Sequence, residues 1–229
     1  MVAADVARGD GQDFSAFHVI DVDSMEQVAE YKGKMSTKDF GNLCMNTAME
    51  YNNALLVIEN SSIGWAAIQQ VIDREYDNLF YTSKDLRYVD VARQVTNKYR
   101  NSERQMVPGF SMTMKTRPLV IAKLEEYFRE KSVIVHSDRL IDELFVFIWH
   151  NNRAEAMEGY NDDLAMSLAI GLWVRDTALR LNAEGIALQK TVLSKMLDYE
   201  AVYTPQDNKN DSWTMKVGEE QEDLTWLIK

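Results

Sequence analysis

A single cysteine in 229 residues, Cys44, sits in an apolar stretch and excludes both a disulfide framework and a thiolate zinc site. Its solitude points to a reducing compartment. Prolines number three and apolar residues make up 46% of the chain, a balance that fits a packed globular protein and not a disordered one. No apolar run approaches the roughly 20 residues of a membrane-spanning helix. Val2 and Ala3 run straight into Asp5 without the pattern of a secretory leader. Histidines are few, and neither His136 nor His150 has a His or Cys neighbour at ligand spacing. Basic charge is also short: 25 Lys and Arg stand against 36 Asp and Glu, a net charge of −11. Taken alone, that balance speaks against a nucleic-acid partner. The objection weakens if the acids include a divalent-cation site, because such a site lowers the net charge by its own construction. The length suffices for one sizeable core and allows one or two domains. No internal repeat or low-complexity block stands out.

What is present begins at once. In VAADVARGDGQDFSAFHVIDVD (Val2 to Asp23), two strand-type runs flank a Gly-rich, acidic turn that holds Gly9, Asp10, Gly11 and Asp13. Apolar and polar residues alternate through Phe17, Val19 and Asp21, the period of a strand. Asp5 ends the first run. A carboxylate on the last residue of a central strand points out of the sheet edge, where metals and phosphates bind, although a lone Asp there serves equally as a turn cap. Gln27 to Lys34 reads as a third strand. Ser36 to Asp39 is a capping-box start for a helix that continues to about Asn52. Ala54 to Ile58 is a continuous apolar run, the mark of a strand buried on both faces, and it stops abruptly at Glu59, Asn60, Ser61 and Ser62. Glu59 is thus a second strand-end acid, or else a charge at the start of the next helix, Ile63 to Arg74.

A short strand is expected over Asn78 to Thr82. Residues 83–112 are polar and irregular, with Arg87, Arg93, Lys98, Arg100 and Arg104, and read as a long basic loop; long loops in compact domains are often functional. GFSMTMKTRP (Gly109 to Pro118) leads into a helix over Leu119 to Lys131. Lys115, Arg117, Lys123, Arg129 and Lys131 make this the most basic neighbourhood, either a solvated helix face or a phosphate contact. Ser132 to Val135 reads as a strand. Ser137 to His150 reads as a helix whose stripe of Leu140, Ile141, Leu144, Phe145 and Ile148 is core. Asn151 to Tyr160 is a hairpin or loop. Asn161, Asp162 and Asp163 open the most apolar helix, Leu164 to Leu181; one Asp there is ordinary capping chemistry, two adjacent ones less so. Ile186 to Tyr203 is compatible with a further helix. Thr204 to Lys229 is polar, carries an acidic run at Gly218 to Asp223, and is expected to be poorly ordered or to pack through Trp226 and Leu227. The division expected is one α/β domain over 1–182, with the basic insertion at 83–112, and a partly flexible extension over 183–229.

Carboxylates therefore fall at the ends of the first and fourth strands and at the start of the last helix of the domain. Far apart in sequence, they can meet only in the fold. That is the layout of an RNase H-like domain of the RuvC or integrase type, a mixed central sheet flanked by helices whose acids converge on divalent cations. Hard cations take carboxylate oxygens, and two of them about 4 Å apart can activate water and stabilise a leaving 3′ oxygen.

The blocks DVARGDGQDFSAFHVIDVD, LLVIEN, GFSMTMKTRP through EKSVIVHSDRLIDEL, and GYNDDLAMSLAIG together resemble the C-terminal nuclease domain of the large terminase subunit of T4-like tailed bacteriophages. The resemblance runs to about residue 182. It implies a metal-dependent endonuclease that cleaves double-stranded concatemeric viral DNA during genome packaging, with two Mg2+ or Mn2+ ions. It implies catalytic, metal-holding acids at Asp5, Glu59 and the Asp162–Asp163 pair, with Asp163 preferred, and a further acidic position at Asp13. Lys98, Arg100, Arg104, Lys115, Arg117 and Lys123 are then the residues for the DNA backbone, with little sequence readout. The implied partners are double-stranded DNA, an N-terminal ATPase domain of the same protein, the portal and the small terminase subunit, in the cytoplasm of an infected bacterial host. The chain contains no GxxxxGK[ST] phosphate loop. As it begins inside the first strand, the expectation is an excised nuclease domain with Met1 added.

Three rivals share some of these features. A calcium loop fails because aligning Gly11 with the invariant glycine puts Val6 and Arg8 at ligand positions and Phe17 where Glu is required. An actin-like ATPase needs a second Asp-x-Gly turn, and none follows Asp13. Another RNase H-like nuclease, such as a junction resolvase, shares the metal chemistry without the long basic loop and the KTRP block. As a non-enzyme reading, a DNA-gripping module of a motor keeps the basic loop and demotes the acids.

Overall fold

Strand β1 (Val2–Asp5) consists of Val, Ala, Ala and Asp, and its first three residues are fully buried, which requires protein on both faces of the sheet. The computed structural model describes residues 1–9, 11, 13–61, 63–83, 106–150, 153–176, 214–217 and 220–223. β1 pairs antiparallel with β2 (Ser15–Asp21) and parallel with β4 (Leu56–Ile58), and β2 pairs antiparallel with β3 (Glu26–Gly33). The resulting mixed sheet has the order β3-β2-β1-β4. Beyond β4 the backbone of Phe110 continues the hydrogen bonding, with its N–H to the Ile58 carbonyl at 2.7 Å and its carbonyl to the Asn60 N–H at 2.9 Å.

Side chains alternate between two cores. Val2, Ala4, Phe17, Leu56 and Ile58 face α1 (Thr37–Glu50) and α2 (Gly64–Asp73), meeting Phe40, Cys44, Ala67 and Ile68. The Ser36 hydroxyl caps α1 by accepting from the Asp39 N–H at 3.2 Å. Ala3, Ala16, Ile20 and Val57 face the other way, toward α3 (Thr116–Arg129), α4 (Asp138–Phe145) and a helix over residues 163–176, α5. Residues 163–172 of α5 are all buried, so this is a helix enclosed by the sheet on one side and by α3 and α4 on the other. The small side chains of Ala3, Ala16 and Ala169 let it lie close to β1.

The structure corrects several boundaries. The helix expected over Ser137 to His150 ends at Phe145, and β7 (Phe147–His150) turns back to pair with β8 (Arg153–Ala156). The run Val146, Phe147, Ile148, Trp149 carries aromatic and β-branched side chains that favour a strand. The supposed core stripe splits accordingly: Leu140 is fully buried, but Phe145 is 80% exposed and Ile148 41%. Ser132 to Val135 forms no strand and contributes a single bridge, Ile134 to Glu26 on the edge of β3. The end of the expected basic loop is strand β6 (Met106–Pro108), paired antiparallel with β5 (Tyr81–Ser83); residues 84–105 lie outside the described residues. So do the C-terminal part of the helix expected to reach Leu181 and the helix expected over Ile186 to Tyr203.

The chain divides into two compact units, Met1–Ala183 and Glu184–Lys229. In the second, β9 (Thr214–Val217) and β10 (Glu220–Asp223) form an antiparallel hairpin that includes most of the acidic run, a feature its polar composition did not suggest. Among the described residues no helix is long and apolar enough to cross a membrane.

Candidate metal centre

Sheet register decides where the first two acids fall. Ala4 lies opposite Ile58 across the parallel pair, so Asp5 and Glu59 leave the same sheet edge side by side. The Glu59 N–H donates to the Ala4 carbonyl at 3.0 Å. Alternation then puts Asp5 on the face of Ala3 and Glu59 on the face of Val57, the side that α5 covers. At the head of α5 the Asp162 carbonyl accepts from the Met166 N–H at 2.8 Å, which makes Asp162 the cap and Asp163 the first helical residue.

Glycine holds the loop after β4 in place. A Cβ on Gly64 would meet the Glu59 carbonyl at 1.8 Å, so α2 can start this close to Glu59 only with glycine there. Gly109, at φ +82°, passes its backbone against the Ile58 carbonyl, where a Cβ would sit at 2.6 Å. The Ser61 hydroxyl donates to Glu59 Oε1 at 2.9 Å.

Asp5, Asp13, Asp162 and Asp163 line one pocket of about 280 Å³, together with Arg8 and Ile63. Glu59 is in hydrogen-bonding contact with Asp5 and lines a second cleft of about 600 Å³ with Arg117, Trp149 and Arg153. Loss of water raises the Asp5 carboxyl well above its ordinary value, and the charges of Glu59, Asp163 and Asp162 push the same way. Asp163, 7% exposed, is raised to about 6, by burial first, against the opposing pull of Lys32 and of the Phe14 N–H. Two acids in contact need a proton or a cation between them, and hard carboxylate oxygens around a partly dehydrated pocket suit a divalent cation.

The helix-start acids already have partners. Asp163 Oδ2 accepts from the Phe14 N–H at 3.2 Å and lies 3.5 Å from Lys32 Nζ. Arg117 donates to Asp162 Oδ2 at 2.9 Å. The Asn161 amide donates to Asp13 Oδ1 at 3.4 Å, and Asp13 itself is exposed. Among the described residues no three His, Cys, Asp or Glu side chains stand close enough to hold one ion as they are. Gathering on one ion therefore requires these side chains to shift.

Of the basic residues singled out in the sequence, Lys115 is exposed at the head of α3. Arg117 is held by Asp162 and the Ala154 carbonyl, and Lys123 by Glu126 and Asp176. Lys98, Arg100 and Arg104 lie outside the described residues.

Three residues were missed. Lys32 contacts Glu143, a buried acid whose other oxygen accepts from the Ala165 N–H at 3.0 Å in the first turn of α5. His18, fully buried on β2, donates from Nε2 to the Leu164 carbonyl at 3.0 Å and accepts at Nδ1 from the Gln27 amide at 2.8 Å. Gln27 Oε1 accepts in turn from the N–H groups of His136 and Ser137, so one polar chain ties α5 to the start of α4. Each had a faint signal: His18 shares a strand face with Ala16 and Ile20, Lys32 shares one with Glu30, and Glu143 falls on the apolar stripe of its helix.

No protein-family model matches the chain. Solved structures do resemble it. The large terminase nuclease from thermophilic phage G20c with bound magnesium superposes with a TM-score of 0.55 at 17% identity, covering 75% of this chain and 78% of that one. Its form with bound cobalt gives 0.54 at 18%, with the same coverage. The large terminase nuclease domain of Thermus phage P74-26 gives 0.52 at 21%, covering 74% of this chain and 76% of that one. The chain thus has an RNase H-like fold. Within that class, its architecture is similar to that of large terminase nuclease domains.

Proposed function

We propose that this chain is a divalent-metal-dependent DNA endonuclease, the nuclease domain of a large terminase that cuts double-stranded concatemeric viral DNA during genome packaging. The observation that carries the reading is the convergence of Asp5, Glu59 and the Asp162–Asp163 pair at one edge of an RNase H-like sheet. The similarity to a terminase nuclease crystallised with magnesium and with cobalt supports it. The T4-like assignment within the terminases rests on the four sequence blocks. The catalytic domain is assigned to 1–182.

Asp5, Glu59 and Asp163 would hold the metal, two Mg2+ or Mn2+ ions, with Asp162 and Asp13 at its margin. Bound there, such ions supply an activated water and charge neutralisation at the departing 3′ oxygen. The residues of the chain bring the acids to one edge and exclude water on the α5 side. Phe14 and Ser61 orient two of the carboxylates through single hydrogen bonds. Lys115, with Lys98, Arg100 and Arg104, is assigned to the DNA backbone, and Arg117 and Lys123 join them only on leaving their acidic partners. The partners proposed are double-stranded DNA, an ATPase domain of the same protein, the portal and the small terminase subunit, in the cytoplasm of an infected bacterium.

One observation favours a second reading, a non-catalytic DNA-gripping module: Asp162 and Asp163 are each already neutralised by a basic side chain. Supercoiled plasmid incubated with Mg2+, Mn2+ or EDTA separates the two. Metal-dependent cutting lost in Asp5→Asn and Asp163→Asn is the result expected of the nuclease. Salt-sensitive DNA retention without cutting would transfer the case to the gripping module.

A further inference from the structure

Lys32 is not a surface lysine. Its side chain is 15% exposed, and its ammonium contacts Glu143 and sits 3.5 Å from Asp163 Oδ2 and 4.9 Å from the Phe14 ring centroid. Glu143 is 7% exposed, and its other oxygen is committed to the Ala165 N–H. If Lys32 swung away it would strand a buried carboxylate, which is strongly unfavourable. The ammonium is therefore anchored beside Asp163 by a second acid that faces it from α4.

We propose that Lys32 is a built-in counter-ion of Asp163 that competes with divalent metal for this carboxylate. The inference rests on the metal-centre reading above and deepens it. In the absence of DNA the cation weakens metal binding at Asp163 while leaving the Asp5–Glu59 side of the site accessible. Were Lys32 only a stitch between β3, α4 and α5, its removal would lower stability and leave metal affinity unchanged.

The test is Mn2+ binding without DNA, by isothermal titration and by the electron paramagnetic resonance of bound Mn2+. In Lys32→Met/Glu143→Gln both charges go together, so the local net charge is kept, and the glutamine oxygen still accepts from Ala165. Mn2+ should bind about tenfold more tightly to this double variant, while Lys32→Arg stays at the wild-type affinity. Glu143→Gln alone leaves Lys32 to Asp163 and should bind Mn2+ more weakly than wild type, a sign opposite to that of the double variant. A folded double variant whose Mn2+ affinity is unchanged or weaker overturns the proposal. Should the double variant fail to fold, an unchanged or tighter affinity in Glu143→Gln overturns it equally. If the wild-type chain binds no Mn2+ at all, the metal-centre reading fails first and the proposal with it, a result distinct from unchanged affinity.

Discussion

The buried acid at the head of α5 should destabilise the metal-free protein, and Asp163→Asn should show it. Burial raises Asp163 from 3.8 to about 6, and two pKa units correspond to about 3 kcal/mol of penalty on the ionised form. Asparagine removes that penalty and keeps an oxygen for the Phe14 N–H. It gives up a negative charge at a helix N-terminus, worth roughly 0.3–1 kcal/mol. The variant should therefore be more stable than wild type by about 2 kcal/mol at pH 8 in EDTA, a rise in Tm of roughly 4–8 °C for a domain of this size. The pH dependence has a definite sign. Between 3.8 and about 6 the folded state retains a proton that the unfolded chain has released, so this group's contribution to stability falls as pH rises through that window and stays low above it. The gap between variant and wild type should accordingly close as pH falls from 8 toward 4. With saturating Mn2+ the order should reverse, because the wild type gains binding energy that the variant lacks. Thermal melts followed by circular dichroism at three pH values, with EDTA and with Mn2+, read all of this. An Asp163→Asn protein less stable than wild type in EDTA at pH 8 would refute the reasoning.

Other consequences are as direct. Gly64→Ala places a Cβ 1.8 Å from the Glu59 carbonyl; the shift it forces on Glu59 should cut plasmid cleavage by about 100-fold with the far-ultraviolet spectrum unchanged. His18→Ala strands the Leu164 carbonyl and the Gln27 amide and should cost roughly 2–4 kcal/mol in urea denaturation. Burial lowers the His18 imidazole from 6.5 to about 4, so wild-type stability should include a component lost as pH falls through that window, and the variant should lack it. Cys44 is fully buried, with burial raising its thiol pKa. A thiol reagent should therefore label it only at the rate of unfolding, and rapid labelling of the native protein would contradict the packing around α1.

Much of the candidate site was legible because strand-end acids announce themselves: Asp5 and Glu59 each close an apolar run, and the Asp162–Asp163 pair opens the most apolar helix. What sequence could not supply was register. Only the parallel pairing of Ala4 with Ile58 puts Asp5 and Glu59 side by side, and pairing between distant strands leaves no local mark. Lys32, Glu143 and His18 escaped for the same reason, since each gains its meaning from a partner more than 100 residues away. The segment from Phe145 to His150 misled because bulky apolar residues satisfy helical and strand periods alike, and the reversal into β8 decides between them. The turn after Ser36 was readable to the residue, because capping is local chemistry.

The most direct test of the central claim is a crystal of this chain soaked in Mn2+ and measured for anomalous scattering. The expected result is a peak held by Asp5 and Glu59, with Asp163 turned toward it or toward a second peak beside it. An anomalous map without a peak in this pocket, at a concentration of Mn2+ that supports plasmid cleavage, would contradict it.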